Sequence, residues 1–524
     1  MARILLISIA FLMVGRVMFP QPAIGQNGVV NAASNIPTSM PTGSIGRGAL
    51  FTISGVRLTA AGSPLVTITK NGANTEAKVL KASATRIDAW MPGSAPLGAV
   101  SLVVTAAGKS SRPFAVEVSD YNPGLFSRNG QGWGPALADN VRALGARFAN
   151  SPSRPVHPGE TVALAATGTG ARDLTVVIGN RTTKATPIKP QAEGREEIRV
   201  TIPADAPQGC WVPVYVLVTP TRASNVVTLA IGSGTTPCLA GLIPAQLSKR
   251  IGVVALSRTQ VKTLGKTARP DGPETVVDDA RVSFIATGKD PALTPFRVLP
   301  PPGTCTAYTA SFQANAGLAS SFTTVVSVEG TGLDAGTSLI LSRADQTRSI
   351  VQSMDTPGRY RARLGSSSAA DRKGTAPLFL SPGEYLLKSA GGKNVGAFRA
   401  PFHLPEPLDW TDRDRITQVD RTRGVTVHWR GSSPKDVLLI VARNVDQVAT
   451  AIGMTLCVAP GESGQFTIPP SMLSSIPSSS ENPGESYDEL AVGALAVRAP
   501  ILASGLDSGS VISVYLSERF VRYQ

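Results

Sequence analysis

The sequence predicts an all-β protein built from tandem immunoglobulin-like β-sandwich modules. Short apolar and β-branched runs, bounded by Gly, Pro, Asn or Ser, follow one another along the chain. The 524 residues include 51 Gly and 41 Pro, and only 16% are charged, which favours turns over long charged helices. One block of sequence also recurs at a fixed interval, which is typical of repeated modules.

The repeat has an interval of 111 residues (198 minus 87). Its members occupy equivalent places in two segments: Ile87, Pro92, Ala95, Pro96 and Gly98 in one, and Ile198, Pro203, Ala206, Pro207 and Gly209 in the other. The same offset relates Gly48 to Gly159, each of which precedes an apolar run. Pro fixes φ and Gly admits a positive φ, so the block predicts a sharp corner before the penultimate strand. We therefore predict two sandwiches, at residues 26–120 and 121–236.

Two further β-rich regions follow, at residues 237–404 and 405–524. The former contains RIGVVALSR, ARVSFIATG and FTTVVSVEG, with a basic segment predicted to leave the fold as a long excursion before PFRVLPPPGTC. The latter contains DVLLIVARN, which predicts a strand buried on both faces and a further β-sandwich. ALADNVRALGARFA is compatible with a helix and equally with a loop.

The N-terminus, residues 1–25, is predicted to be a secretory signal peptide. Arg3 precedes an 11-residue apolar run at 4–14, which is too short to span a bilayer. A small-residue site at 23–25 predicts cleavage before Gln26. A retained membrane anchor is the alternative, and the length of the run argues against it. We expect a secreted or cell-surface bacterial protein whose mature chain has no transmembrane segment.

The four cysteines form an even set, which suits an oxidising compartment. Cys210 and Cys238 flank two strands that a hairpin would bring together, so we predict that they pair. Cys305 and Cys457 then pair by elimination. Four cysteines allow three connectivities, and free buried thiols are the alternative.

The formal net charge is +14, and a basic segment without acidic residues contributes to it. Its cationic residues are Lys249, Arg250, Arg258, Lys262, Lys266 and Arg269. Such a segment predicts contact with an anionic polymer or membrane surface, with a solvated connector as the alternative. Nucleic acid is not an expected partner, because aromatic residues do not interleave with these charges.

Catalytic and metal-binding motifs are absent from the sequence. His157, His403 and His428 lie far apart, and no CxxC, GxSxG, P-loop or dinucleotide fingerprint occurs. Ser432 and Lys435 match SxxK, a spacing that brings the lysine to the serine only in a helix. Gly431 and Pro434 predict a turn here, so this match is not interpreted as a catalytic site. We predict no catalytic residue, metal or cofactor.

Two local features are candidates for contact with a ligand. Asp409, Asp412 and Asp414 could ligate calcium, although the intervening arginines favour local ion pairs. Trp133, in the loop NGQGWGPA, is the candidate for an exposed aromatic that stacks on a sugar ring. Packing of Trp133 in a core or between modules is favoured over this role, because Trp usually buries most of its area.

The two repeated modules resemble TIG/IPT-type immunoglobulin-like domains over residues 27–234. More closely, they resemble the secreted acidobacterial paralogs known as the Solibacter uncharacterised C-terminal domain. The resemblance is carried by VNAAS (30–34), NPGLF (122–126), PGE (158–160), ATG (166–168), VIG (177–179), IPADAPQGC (202–210) and SN (224–225). It implies an exported β-sandwich without established catalytic residues. Asn180 stands where the family usually has a second Gly, which alters one turn.

Together these features predict a non-enzymatic exported scaffold or adhesion protein, which binds a polysaccharide or a protein partner through its loops. A secreted hydrolase is the alternative, with its active site after residue 238 and the repeats as accessory modules. A third hypothesis is an envelope component that polymerises through exposed sheet edges.

Overall fold

The computed structural model describes residues 21–59, 62–192, 194–233, 249–262, 274–287, 299–311, 330–368, 376–433, 436–482 and 485–524. Strands dominate these residues, and the α-helix among them is the four-residue α1 (Pro470–Leu473). The all-β prediction is therefore confirmed.

The N-terminal module encloses one apolar core with nine strands in the order β1-β3-β6-β5-β4-β7-β9-β2, and β8 pairs with β7. Every core residue lies between Val29 and Val118, so this module has a hydrophobic interior of its own. The strands are β1 (Ala23–Asn31), β2 (Ile45–Gly46), β3 (Leu50–Val56), β4 (Leu65–Lys70), β5 (Ala73–Ala82), β6 (Arg86–Trp90), β7 (Gly98–Ala106), β8 (Lys109–Ser110) and β9 (Phe114–Ser119).

The second module is a sandwich of two sheets around a core that extends from Leu125 to Ile231. One sheet has the order β13-β12-β14-β18-β17, with β10 beside β14, and the other has the order β11-β21-β19-β15-β16, with β20 beside β19. The strands are β10 (Gly124–Leu125), β11 (Gly134–Pro135), β12 (Ala138–Val141), β13 (Arg147–Ala149), β14 (Thr161–Thr167), β15 (Leu174–Ile178), β16 (Arg181–Ala185), β17 (Pro187–Ala192), β18 (Arg195–Thr201), β19 (Gly209–Thr219), β20 (Arg222–Ala223) and β21 (Val227–Ile231). ALADNVRALGARFA forms β12 and β13, joined by a short 3₁₀ turn.

The repeat corresponds to matching turns in the two modules. The amide of Ala95 donates to Pro92 O at 3.1 Å, as the amide of Ala206 does to Pro203 O at 3.1 Å. The equivalent glycines Gly48 and Gly159 have φ of 74° and 84°, a region that favours residues without a side chain. The recurring block therefore specifies the same corner twice.

The remaining strands share one large sheet, which has 13 strands in the described part of the chain. Its order is β24-β35-β34-β37-β38-β22-β23-β28-β27-β26-β29-β30, and β25 pairs with β23. Smaller sheets, β31-β33-β36 and β32-β39, lie beside it. The strands are β22 (Arg250–Lys262), β23 (Glu274–Ala286), β24 (Thr304–Ser311), β25 (Thr331–Gly332), β26 (Ser338–Arg343), β27 (Gln346–Gln352), β28 (Arg359–Ser368), β29 (Gly383–Ser389), β30 (Phe398–Leu404), β31 (Asp409–Trp410), β32 (Gln418–Val419), β33 (Val425–Arg430), β34 (Val437–Asp446), β35 (Ala451–Pro460), β36 (Gln465–Ile468), β37 (Ser486–Pro500), β38 (Ser508–Phe520) and β39 (Arg522–Tyr523).

The regions 237–404 and 405–524, predicted as two domains, thus contribute to the same sheet. β22 pairs in parallel with β38 along 12 residue pairs, and β24 pairs with β35. These partners lie far apart in the sequence, so local strand patterns carried no sign of their pairing. β34 is buried along most of its length, as DVLLIVARN predicted.

The prediction that the basic segment leaves the fold is wrong for the residues that the structure describes. Residues 250–262 form β22, which pairs with β23 on one side and β38 on the other. Its first half is buried, because Ile251 to Leu256 contribute to apolar cores on both faces of the sheet. Lys266 and Arg269 lie outside the described residues.

Buried and partly buried polar contacts join the modules. The Asn122 side chain of the second module donates to Thr42 O at 2.8 Å and Ser44 O at 2.6 Å in the first. The Asn27 side chain donates to Ala449 O at 2.7 Å in the large-sheet region. The modules are therefore packed against one another at specific contacts.

The predicted signal peptide lies mostly outside the described residues, which begin at Gln21. The proposed cleavage site at 23–25 is part of β1, where Ala23 and Ile24 pair with Val56 and Gly55.

Candidate functional site

The outer half of the large sheet, from β23 to β30, has one face on an apolar core and another face lined by polar side chains. The core face includes Ala280, Val282, Tyr360, Leu364 and other buried residues. Because side chains alternate along a strand, the residues between them face the opposite side. Arg281, Arg361 and Arg363 are such residues, and all three are exposed.

A cavity of about 740 Å³ lies over β23, β27 and β28 on this face. We call this cavity the arginine groove. Its lining residues are Asp279, Ala280, Arg281, Val282, Ser283, Val351, Ser353, Asp355, Thr356, Arg359, Tyr360, Arg361, Ala362 and Arg363.

Like charges stand opposite each other in the arginine groove. Arg281 of β23 is the direct register partner of Arg361 of β28, and like charges in that position repel. No ion pair joins either guanidinium to a carboxylate within the described ranges. The repulsion within the pair is therefore not offset by an ion pair among the described residues.

The remaining charges leave the groove cationic. Arg363 approaches Asp279 at 3.7 Å, and its side chain is 65% exposed, so that ion pair is weak. Four arginines and two aspartates line the groove, which gives a net lining charge of +2 (four minus two). Guanidinium groups bind carboxylate and sulfate-like oxyanions through paired N–H donors. The arrangement is therefore suited to bind an anion.

The sequence carries a local signal for part of this groove. RYRAR at 359–363 places arginine at every second position of a strand, which puts all three guanidinium groups on one face. The contribution of Arg281 depends on the pairing of β23 with β28 and has no local signature.

The prediction of an exposed Trp133 is wrong. The Trp133 side chain is 3% exposed and its ring contacts Tyr308 edge to face, with centroids 5.3 Å apart. Trp133 thus joins the second module to β24 of the large sheet, in agreement with the alternative of packing between modules. An indole in this position cannot stack on a sugar ring.

Two members of the predicted basic segment are neutralised by acidic neighbours. Arg258 forms a two-point ion pair with the buried Asp278, at 2.7 and 2.8 Å. Although burial lowers it, the pKa of Arg258 is raised overall by this carboxylate. Lys262 pairs with Asp414 at 3.0 Å. These residues stabilise the sheet and offer little charge to an external polyanion.

The other two described members of the basic segment contact the loop before β38. The Arg250 guanidinium donates to Gly505 O at 2.6 Å and to Asn394 O at 3.0 Å. The Lys249 and Arg250 amides both donate to Asp507 at 2.8 Å. The Lys249 side chain is exposed, and it lies at the start of β22.

Among the cysteines, the Cys305–Cys457 disulfide is present as predicted. It joins register partners in β24 and β35. Cys210 is also disulfide-bonded, and its predicted partner Cys238 lies outside the described residues.

Each histidine has one carboxylate neighbour. His157 pairs with Glu160 at 3.2 Å, His403 with Glu384 at 2.8 Å, and His428 with Asp412 at 2.6 Å. In the part of the chain that the structure describes, no group of three His, Cys, Asp or Glu residues has a metal-binding arrangement.

The predicted calcium alternative is opposed by the contacts of its acids. Asp412 accepts hydrogen bonds from the Trp410 indole at 2.7 Å and the His428 amide at 3.1 Å. Asp414 pairs with Lys262; burial raises the pKa of Asp414, but Lys262 and Arg413 together lower it overall. Both carboxylates are engaged in these contacts, which opposes the binding of a metal ion.

Within the described ranges, no helix has the length and apolar character needed to cross a bilayer.

Comparisons with known proteins give no family. No protein-family model matches the chain, and no curated protein matches it. The TIG/IPT-type resemblance of residues 27–234 stays a prediction.

Several solved structures have a weak likeness to this chain. One is SGBP-B of the mixed-linkage glucan utilization locus of Bacteroides ovatus, in complex with a mixed-linkage heptasaccharide. It has 13% identity and a TM-score of 0.20, covering 36% of this chain and 45% of that chain. SGBP-B of a complex xyloglucan utilization locus in Bacteroides uniformis has 12% identity and a TM-score of 0.18, covering 65% and 85%. Domains A168–A170 of titin have 9% identity and a TM-score of 0.13, covering 66% and 89%. At these values the matches assign neither a family nor an activity.

Proposed function

We propose that this protein is a non-enzymatic, extracytoplasmic β-scaffold that binds an acidic polysaccharide in the arginine groove. The observation that carries the proposal is the Arg281–Arg361 pair, in which two exposed arginines are direct register partners without a described counter-ion. Carboxylate or sulfate groups of a ligand would supply the missing negative charge. The proposed ligand contacts therefore lie on a sheet face, whereas the sequence analysis predicted that the ligand binds through loops.

Acidic sugars are favoured over neutral ones because exposed aromatic platforms are scarce. Among the Phe, Trp and Tyr residues that the structure describes, Phe148 alone is exposed, at 44%. The Arg154 guanidinium lies over its ring, 5.7 Å from the centroid. Ring stacking is therefore a minor source of affinity, and charge is the main one.

A hydrolase is the second candidate, and the groove gives it little support. A glycosidase needs two carboxyl groups that flank the scissile bond. The groove contains Asp279 and Asp355, but four arginines also line it, and this net positive lining suits binding of an anion better than protonation of a glycosidic oxygen. We propose binding without turnover on this basis.

Binding of the full chain to dextran sulfate, polygalacturonate and uncharged dextran tests the proposal. Dextran and dextran sulfate share a backbone and differ in charge, while polygalacturonate separates carboxylate from sulfate recognition. We expect binding to at least one acidic polymer and none to dextran. Arg361→Glu should weaken the binding at least about tenfold, since a charge-assisted hydrogen bond contributes about 1.5–3 kcal/mol.

Arg430→Glu is the matched control, because Arg430 is also an exposed strand arginine but lies in β33, outside the groove. It makes the same change in net charge and should leave binding unchanged. Equal losses in both variants would contradict a defined site. Equally tight binding of polyglutamate or single-stranded DNA would contradict recognition of a polysaccharide.

A further inference from the structure

A second pair of like charges lies on the same sheet face as Arg281 and Arg361. Lys388 of β29 is the register partner of Arg399 in the edge strand β30. Neither makes an ion pair with the residues that the structure describes. Direct cross-strand repulsion therefore occurs twice on this face, once at each side of the outer half-sheet.

Register shows that the two pairs share a face. Val351 of β27 is the partner of Arg361, and Ile340 of β26 is the partner of Lys388. Val351 is also the partner of Ser338, which lies two residues before Ile340 in β26. Register partners, and residues two apart on one strand, point to the same side of a sheet.

Exposed apolar side chains separate the two pairs. Val351 is 54% exposed and Ile340 is 39% exposed. The face thus presents cations, then an aliphatic strip, then cations again, in the direction across the strands. Pyranose rings have apolar C–H faces and carry their acidic groups at the ring periphery, which matches this alternation.

The spacing of the pairs sets the length of ligand that can reach both. β28 and β30 are separated by four strand spacings in the order β28-β27-β26-β29-β30. At about 4.8 Å per spacing, the distance across the sheet is roughly 19 Å. A polymer of several sugar units spans that distance, whereas a disaccharide does not.

We propose that Lys388 and Arg399 form a second anion subsite, so that an acidic polysaccharide chain crosses the strands from the arginine groove to the sheet edge. Its sugar rings lie over Val351 and Ile340. This inference rests on the proposed function, because it concerns the path of the same ligand.

A chain-length series of galacturonate oligomers tests the inference by calorimetry. We expect affinity to rise once the oligomer exceeds the separation of the two pairs. Arg399→Glu should weaken binding of long oligomers about tenfold and leave short ones unchanged, while Arg361→Glu should weaken both. Arg399→Glu places an opposite charge beside Lys388, so loss of folding is not expected, and Arg430→Glu again serves as the control.

The outcomes separate the two proposals. If Arg399→Glu leaves long oligomers unaffected while Arg361→Glu weakens all of them, the second subsite is refuted and the arginine groove stands. If Arg361→Glu changes neither length class, the proposed function itself fails. Lys388→Gln provides a second variant at the edge and should reproduce the length-selective loss.

Discussion

Arg281 and Arg361 lie directly opposite each other on neighbouring antiparallel strands, with both guanidinium groups exposed. Residues in this position interact with energies of about 0.2–1 kcal/mol, and like charges destabilise. Selection for stability alone would favour a carboxylate at one of the two positions. The pair therefore supports the proposal that a ligand binds there.

Arg361→Glu is expected to stabilise the protein while it weakens ligand binding. The new carboxylate would face Arg281, so repulsion becomes attraction and the free energy of unfolding rises by about 0.5–1 kcal/mol. Urea denaturation without ligand measures this change. A variant that is both less stable and unable to bind would indicate that Arg361 has a structural role.

The buried ion pair between Arg443 and Glu489 predicts a strongly asymmetric mutational effect. They are register partners in β34 and β37, and their side chains are 3% and 2% exposed. Glu489→Ala should lower the free energy of unfolding by about 3–5 kcal/mol, since it leaves a charge buried without its partner. The double variant Arg443→Met with Glu489→Met should recover most of that loss. If the double variant is as unstable as the single one, the pair is not the source of the effect.

Stability should fall as pH rises from about 4.5 to about 8 because of Glu518. Burial, and then the nearby Glu489 carboxylate, raise the pKa of Glu518 to about 8, although Arg443 opposes the rise. The folded protein then holds a proton that the unfolded chain releases above its ordinary pKa, so ionisation favours unfolding. Glu518→Gln should remove a few kcal/mol of this pH-dependent fall in the free energy of unfolding. A shift of one pKa unit corresponds to about 1.4 kcal/mol.

Denaturation of the parent protein and of Glu518→Gln across this pH range tests whether stability falls as pH rises. Glu76→Gln, at an exposed position on β5, is the control and should follow the parent protein. Parallel profiles for Glu518→Gln and the parent would contradict a buried, protonated Glu518.

Loss of the Cys305–Cys457 disulfide should destabilise the large sheet. The bond links strands separated by 152 residues in sequence, and it anchors the edge strand β24 to β35. Replacement of both cysteines by alanine should lower the free energy of unfolding by about 2–5 kcal/mol. Stability of the parent should depend on reductant more strongly than that of the variant. Equal sensitivity would show that another bond accounts for the effect.

Local patterns in the sequence were sufficient to predict strands and the repeated corner, but not the shared large sheet or the candidate site. The recurring corner specified Ala95 and Ala206 in equivalent turns, because turn geometry depends on adjacent residues. The Gly-rich loop around Trp133 suggested exposure, yet its partner Tyr308 is contributed by a distant strand. Charge counting along the chain drew attention to Arg258, which is paired with Asp278 of the next strand.

The arginine groove shows the same limit of prediction from local sequence. Arg359, Arg361 and Arg363 alternate on one strand and were visible as a pattern. Arg281 joins them only through a register between strands about 80 residues apart, and Lys388 meets Arg399 through another hairpin. Site chemistry here arises from pairing across the sheet, which a single sequence does not display.

The salt dependence of binding tests the central claim most directly. Affinity of the full chain for its acidic polymer should fall linearly on a logarithmic plot against salt concentration, because bound guanidinium groups displace counter-ions. Exchange of Arg281 and Arg361 for Gln should make that slope shallower, whereas Arg430→Gln should not change it. A slope that is flat in the parent protein, or the same in all variants, would contradict an anion-binding groove at these arginines.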